Sequence, residues 1–306
     1  MSNVPIRIKR SSKWRYRAGK AANRLSHNRL QQMTGSRHPR IVDRTIHCPN
    51  WPEAHDGFRI AHLSDFHIGE LLTIDDALRF LDEFHDRLDS PIDLVAVTGD
   101  ILDFKTIDCL PLLQRLSGFP SVFGTYAVLG NHDILVDRGS FIEMCASAGL
   151  NLLVDERIHL DIEGRAIELI GIDWVRKQTD LAGHVRKAMV VNNDSANQSP
   201  TNQEAARILL AHHPSVFRAA AARHAHLVLS GHTHGGQLNL LQPTINRSAI
   251  GLGTLAHRYS WGIYESGVSR LHVTSGIGSW FPFRVKCPSE IAVLTVRRSC
   301  EPNRNL

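Results

Sequence analysis

Between Phe58 and Val296 the chain repeats one device: a short run of Val, Ile and Leu that stops abruptly on polar residues. Phe58–Leu63 stops at Ser64-Asp65, Leu94–Val97 at Gly99-Asp100 and Tyr126–Leu129 at Gly130-Asn131. Ile208–Leu210 runs into His212, and Leu227–Leu229 into Gly231-His232. Ala166–Ile172, Leu271–Thr274 and Ile291–Val296 read as further strands. Continuous apolar runs of this length fit strands covered on both faces, with helices or a second sheet above and below. Helical patterns lie between them. Thr73-Ile74-Asp75-Asp76 is a capping box that predicts a helix to Leu88, with Leu78, Leu81, Phe84 and Leu88 on one face. Further helices are predicted from Arg138 to Ala148 and from Pro214 to Arg223, and a surface loop over Asn192–Gln203. The alternation predicts a layered α/β fold, whose sites are built at the C-terminal ends of strands.

A chain of 306 residues, 42% hydrophobic and 21% charged, can bury such a core, and this balance rules out wholesale disorder. No apolar run approaches the roughly 18 residues of a membrane-spanning helix, and no apolar segment follows the basic start as in a secretory signal. Cys48, Cys109, Cys145, Cys287 and Cys300 are odd in number, widely spaced and without a C-x-x-C pair. That is the complement of a reducing compartment, not of a disulfide framework or a zinc ribbon, so a cytoplasmic location is expected. Charge is uneven. Residues 1–45 hold 12 Lys/Arg and one acid, Asp43, while the remainder holds 23 bases against 29 acids. The basic segment reads as an arm, residues 46–306 as the folded body. Within the arm Trp14, Ala18, Ala21, Ala22, Leu25, Leu30 and Met33 form a loose stripe. One reading is an amphipathic helix on an anionic surface, which would hold the chain on the inner face of the membrane. The other is a solvated, disordered tail.

The polar tips form an ordered set: Asp65-x-His67, Gly99-Asp100-x-x-Asp103, Gly130-Asn131-His132-Asp133, His212-His213-Pro214 and Gly231-His232-x-His234. Each alone is weak. Together, each after an apolar run, they describe a dinuclear metal site. Two divalent ions need one carboxylate able to bridge, further imidazole and oxygen ligands, and open positions. Asp65-x-His67 and His232-x-His234 are expected to act as extended segments that present two side chains to one ion. The glycines are expected to let the backbone turn sharply and admit a phosphate.

This set resembles that of the calcineurin-like metallophosphoesterase superfamily over Phe58 to Val296. The finer motifs resemble its YkuE-like bacterial phosphodiesterase branch, some of whose members are UDP-2,3-diacylglucosamine pyrophosphatases. They are Leu129-Gly-Asn-His-Asp133, Ile208-Leu-Leu-Ala-His-His-Pro214, Ala225-His-Leu-Val-Leu-Ser-Gly-His-Thr-His-Gly-Gly-Gln237 and Pro282-Phe-Arg-Val-Lys-Cys-Pro-Ser-Glu-Ile291. The resemblance implies a single catalytic domain built as a sandwich of two mixed β-sheets flanked by helices. It implies two divalent metal ions, manganese, iron or zinc. Asp65, His67 and His234 would bind the first, Asp100 would bridge, and Asn131, His212 and His232 would bind the second. His212 is preferred to His213 by its distance from Pro214. His132 would bind phosphate or protonate the leaving oxygen, Asp103 would hold its imidazole and raise its pKa, and Asp133 would support the ligands from behind. The implied reaction is in-line attack by a metal-bridging hydroxide on a phosphodiester or pyrophosphate, lipid-linked or nucleotide-linked. The chain departs from the branch at Ser275, where relatives carry an Arg that contacts phosphate.

Two other functions compete: a membrane- or nucleic-acid-binding protein on a phosphoesterase scaffold, and a nuclease. Filled ligand positions argue against the first, and an acidic body without a long basic face against the second. His55, His62, His85, His159, His184, His224, His226, His257 and His272 lack motif partners and read as structural. Trp280-Phe281-Pro282-Phe283 reads as packing, or as an apolar rim for an acyl chain.

Overall fold

The computed structural model describes residues 10–27, 29, 38–104, 107–135, 137–174, 180–189, 205–247, 250–251, 257–279 and 281–299. The chain opens with α1 (Arg10–Leu25), β1 (Arg40–Pro49), β2 (Phe58–Leu63), α2 (Ile74–Asp86), β3 (Leu94–Val97), α3 (Leu110–Ser117) and β4 (Thr125–Ala127). It continues through α4 (Arg138–Ser147), β5 (Asn151–Leu152), β6 (Glu156–Ile162), β7 (Arg165–Ile172), α5 (Leu181–Met189), β8 (Ala206–Ala211), α6 (Phe217–Ala221) and β9 (Leu227–Ser230). A small β10 (Asn239–Leu241) and β11 (Ile250–Gly251) pair precedes β12 (Gly262–Ser266), β13 (Ser269–Val273) and β14 (Glu290–Ser299).

Two six-stranded sheets result, in the orders β1-β14-β2-β3-β4-β5 and β12-β13-β9-β8-β7-β6. Both are mixed. β2, β3, β4 and β5 run parallel, with β14 antiparallel to β2. β7, β8, β9 and β13 run parallel, with antiparallel strands at either end. Side-chain alternation sorts each strand between two cores. Phe58, Ile60, Leu94 and Ala96 meet Ile167, Leu169, Ile208, Leu210, Leu227 and Leu229 between the sheets. The alternate residues Ala61, Leu63, Val95 and Val97 face α2, α3 and α4 through Phe80, Leu81, Phe84, Leu112 and Phe141. Ile170, Leu209 and Val228 face α5 and α6 through Val185 and Phe217. This explains why the strands read as unbroken apolar runs: neither face is wet.

The capping box works as predicted: the Thr73 side chain accepts the Asp76 N–H at 3.1 Å. The predicted helix Pro214–Arg223 is shorter and divided. His213 Nδ1 accepts the Ser215 N–H, capping a single 3₁₀ turn over Pro214–Val216 before α6. Tyr126–Leu129 is paired only as Thr125–Ala127, because the chain leaves the sheet to build the loop at Asn131. The loop predicted over Asn192–Gln203 lies outside the described residues, as do Leu30, Met33, Trp280 and Cys300. The other four cysteines are buried free thiols.

Strand pairing starts at Arg40, opposite Glu290, so Arg40–Thr45 is part of the first sheet. Upstream, α1 lies over the body. A Cβ on Gly19 would press on Phe281 and Pro282, and Lys20 and Arg24 both reach Glu70. Trp14 and Leu25, three turns apart, are 71% and 83% exposed. Among the described residues no helix is long and apolar enough to cross a membrane.

Candidate metal centre

The parallel strands of both sheets end on one edge, where their loops are laced together. The Asp65 N–H donates to the Gly99 carbonyl at 2.9 Å and the His67 N–H to the Asp100 carbonyl at 3.0 Å. Across the sandwich, the His232 N–H donates to both Asp65 carboxylate oxygens at 3.1 Å. Asp65, His67, Asp100, His232 and His234 all hold positive φ, from 49° to 72°. The expectation of extended Asp-x-His and His-x-His segments is therefore corrected. An extended chain would run on past the sheet edge, whereas left-handed residues turn it back across the strand ends. Each such residue costs about 1–2 kcal/mol, so the surrounding hydrogen bonds must hold it. Among the glycines of the motifs, Gly130 and Gly231 serve close approach of one loop to another. A Cβ on Gly130 would overlap Asp100, and one on Gly231 would overlap Ser64 and the Asp65 carboxylate.

Three overlapping groups of ligand-type atoms form: Asp65-His67-His234, His67-Asp100-His132 and Asp100-His212-His232. In the first, His234 Nε2 lies 2.9 Å from His67 Nε2 and 3.3 Å from Asp65 Oδ1. In the third, His212 Nε2 lies 3.1 Å from Asp100 Oδ2, 3.2 Å from His232 Nδ1 and 3.2 Å from Asn131 Oδ1. Asp100 Oδ2 is also 3.5 Å from His67 Nε2, so one carboxylate oxygen faces both groups. His213 belongs to none of the groups; its ring packs against His232 with centroids 4.7 Å apart.

These spacings fit ligand shells. Nitrogens about 2.1 Å from one ion, roughly 90–109° apart around it, lie about 3.0–3.4 Å from each other. Two imidazole nitrogens facing at such distances need a proton or a cation between them. Mixed His, Asp and Asn donors suit manganese, iron or zinc. The electrostatics agree. Burial works against charge on His67, yet Asp103, Asp65 and Asp100 push its pKa up to about 10. His212 is likewise pushed up to about 9, mainly by Asp100, against burial. Asp100 is held well below the usual carboxylate range despite burial, chiefly by His212 and His132. Two buried carboxylates facing this many imidazoles attract positive charge, which a metal ion supplies in place of protons.

The supports are specific. Asp103 Oδ1 sits 3.5 Å from His67 Nδ1 and 3.4 Å from His132 Nδ1. It therefore faces His67 as well as His132, and favours the His67 tautomer with its proton on Nδ1. His212 Nδ1 donates to the Thr98 carbonyl at 2.7 Å with the same effect. Asp133 accepts the N–H groups of Asp100, Leu102 and Gly130 at 2.9, 3.0 and 2.8 Å. His132 meets His67 edge-on, ring centroids 4.5 Å apart, and the Phe104 ring centroid lies 4.9 Å from that of His132.

Sequence reasoning missed three neighbours. Trp174 packs its ring within 5.2 Å of His232 and 5.6 Å of His212. His257 lies 5.9 Å from His232. Arg284, 3% exposed, donates to the Ser275 and Gly278 carbonyls, and one of its nitrogens is 3.4 Å from His234 Nδ1. A guanidinium thus reaches the Ser275 loop from a later segment. His62 and His272 are fully buried and bonded to each other between the sheets, outside all three groups.

Residues 58–236 match the family model described as "calcineurin-like phosphoesterase". An uncharacterized metallophosphoesterase of Helicobacter pylori (strain J99 / ATCC 700824) is 32% identical over 77% of this chain and 59% of its own length. One from Campylobacter jejuni is 30% identical over 85% of this chain and 63% of its own. The chain thus spans less than two thirds of these relatives. YkuE of Bacillus subtilis, also named an uncharacterized metallophosphoesterase, is 27% identical over 84% of this chain and 85% of its own. With the family model covering more than half of its residues and the strand-end groups in place, the chain belongs to the calcineurin-like phosphoesterase family.

Proposed function

We propose that the chain is a two-metal phosphoesterase that hydrolyses a phosphodiester or pyrophosphate bond. The observation that carries this reading is Asp100, whose single Oδ2 faces both His67 and His212. Asp65, His67 and His234 would hold one ion, and Asn131, His212 and His232 the other. Two bound divalent ions would polarise the phosphoryl oxygens and lower the pKa of water between them. The protein's own part is to hold that geometry. The left-handed ligands and the Asp133 contacts fix the loops, and Asp103 and Thr98 fix the ring orientations. His132 is the partly exposed side chain positioned to hold the substrate's phosphoryl oxygen or give a proton to the leaving oxygen. The face of α1 opposite Gly19 carries Trp14 and Leu25 among arginines, which supports peripheral contact with an anionic membrane surface.

The test is metal content and turnover together. Protein supplemented with manganese should approach two equivalents and hydrolyse bis(p-nitrophenyl) phosphate. Asp100→Ala should bind fewer equivalents and lose turnover. Full activity in that variant would end the two-metal reading.

A further inference from the structure

Arg284 lies in the crossing that carries the chain from β13 of the second sheet to β14 of the first, and it is almost fully buried. Each nitrogen of its guanidinium donates. Nε donates to Ser279 Oγ at 2.8 Å, and Nη2 to the Ser275 and Gly278 carbonyls at 2.8 and 2.6 Å. Nη1 donates to the Cys287 carbonyl at 3.2 Å and reaches the His234 carbonyl at 3.5 Å. Five oxygens around one planar fork fix its place and its tilt, which an ammonium on a flexible stem could not match. Four of the five are backbone carbonyls, so the fork acts on the path of the chain.

These acceptors lead to both halves of the first ligand group. On one side is the loop from Ser275 to Ser279. Its Ile277 N–H donates to the Ser64 carbonyl at 3.0 Å, and its Gly278 N–H to the Asp65 carbonyl at 2.8 Å. A Cβ on Gly276 would press on Asp65, and one on Gly278 would overlap the Phe66 carbonyl. The loop is thus the seat of the Asp65-Phe66-His67 turn, whose two ligand-type residues hold φ of 54° and 49°. Left-handed residues of this kind persist only where their surroundings fix them. On the other side is His234. Arg284 Nη2 stands 3.4 Å from its Nδ1, and the Cys287 thiol donates to the same carbonyl that Nη1 reaches, at 3.2 Å. Asp65 and His67 follow a strand of the first sheet and His234 a strand of the second, so one side chain ties the two halves together. The second group has other supports: Thr98 orients His212, and Asp133 holds the loops of Asp100 and Asn131.

We propose that Arg284 is the positioning residue of the first metal group: it holds the Asp65-His67 turn and His234 at the spacing one ion needs, and it does not act on the second group. This rests on the two-metal reading and deepens it, because the protein then sets the affinity of each site with a separate support.

The experiment is manganese titration of metal-free protein by calorimetry. His212→Ala leaves the residues of the first group in place and His234→Ala those of the second, so each background isolates one site. Adding Arg284→Lys should weaken manganese binding about 10–100-fold in the His212→Ala background and less than about threefold in the His234→Ala background. Ser279→Ala, which takes away the Nε acceptor, should act in the same sense by about 3–10-fold, and it replaces Arg284→Lys if circular dichroism shows that variant unfolded. In Arg284→Ala, added methylguanidinium should restore part of the first-site affinity, which a side chain that only fills space would not allow. Equal losses in the two backgrounds, or no loss in the His212→Ala background, would overturn the proposal. Wild type judges the two-metal reading separately. If it binds a single equivalent that reading ends, and the Arg284 proposal survives only if Arg284→Lys weakens that equivalent as His234→Ala does; if it binds none, both fall.

Discussion

Asp133→Asn probes how the loops of the metal centre are held. The wild-type carboxylate is 2% exposed and accepts three backbone N–H groups, two on Oδ2 from Asp100 and Gly130 and one on Oδ1 from Leu102. An amide has one accepting oxygen. If it keeps the Oδ2 position, its NH₂ faces the Leu102 N–H, and one charge-assisted bond of about 1.5–3 kcal/mol is lost. An opposing gain exists. Burial and Asp100 raise the Asp133 pKa to about 6, so the charged form is itself under strain, which Asn removes. The net loss should be about 1–2 kcal/mol, or about 1.5–3 °C in Tm. The pH dependence has a definite sign. A carboxyl raised from 3.8 to about 6 on folding contributes stability that is present below 3.8 and lost as pH rises through 6. Asn does not titrate. In chelator-treated protein the Tm gap should therefore be wider at pH 5 than at pH 7.5. Because Asp133 anchors the backbone of Asp100, metal affinity should fall about 10–100-fold. Thermal melts at both pH values and manganese titration read these effects. Wild-type Tm and metal affinity in Asp133→Asn, at both pH values, would refute the argument.

Other perturbations isolate other parts. His132→Ala should keep both metals and lose about 10²–10⁴-fold in turnover, more for a poor leaving group than for nitrophenolate, as expected of a proton donor; loss of a metal equivalent would make it a ligand instead. Manganese affinity should rise with pH from 6 to 9, by about tenfold per unit for each displaced proton, since His67 and His212 hold protons up to about 10 and 9 in the metal-free protein; a flat titration would contradict that. Deleting residues 1–37, ahead of β1 and of the Arg44–Glu290 ion pair, should spare turnover of a small diester and weaken binding to anionic liposomes in a salt-sensitive way. Unchanged liposome binding would leave α1 without a membrane role.

The strands around the site were legible because both of their faces are dry. Leu94–Val97 and Leu227–Ser230 show only buried residues, and the sequence shows only apolar ones before the tip. The edge strands were not. β6, Glu156–Ile162, has no fully buried residue, and β1 interleaves Arg and Asp with Ile and Val. Their pairing depends on neighbours, not on their own pattern. α3 was hidden by Pro111 at its second position and by Cys109, a cap without a side-chain bond. The His, Asp and Asn residues that meet at the strand ends were legible because each stands just after an apolar run. Left-handed φ values were not, since His and Asp carry no local mark of the turn they make. Trp174 and His257 reach the site only through the stacking of loops distant in sequence.

The site's dependence on that stacking has a measurable consequence. Asp65 and His67 follow β2 of the first sheet, whereas His234 follows β9 of the second. Asp100 and Asn131 belong to the first sheet's loops, and His212 and His232 to the second's. Each ion would therefore bind the two sheets to each other. Farther from the strand ends, protein groups bridge the sheets. His62 Nδ1 is 2.8 Å from His272 Nδ1, and His62 Nε2 is 2.9 Å from Thr98 Oγ1, on the residue whose carbonyl orients His212. Binding that is absent from the unfolded chain adds stability by mass action, about 2.7 kcal/mol per site at a hundredfold excess over Kd. Manganese should thus raise Tm in wild type, and by less in both His234→Ala and His212→Ala, since the first removes the second sheet's hold on one ion and the second weakens it on the other. Asp65→Asn approaches the same clamp from the other sheet, weakening the first group there, and should also blunt the rise. If manganese raised Tm equally in wild type and all three variants, the ions would not be clamping the sheets at this edge.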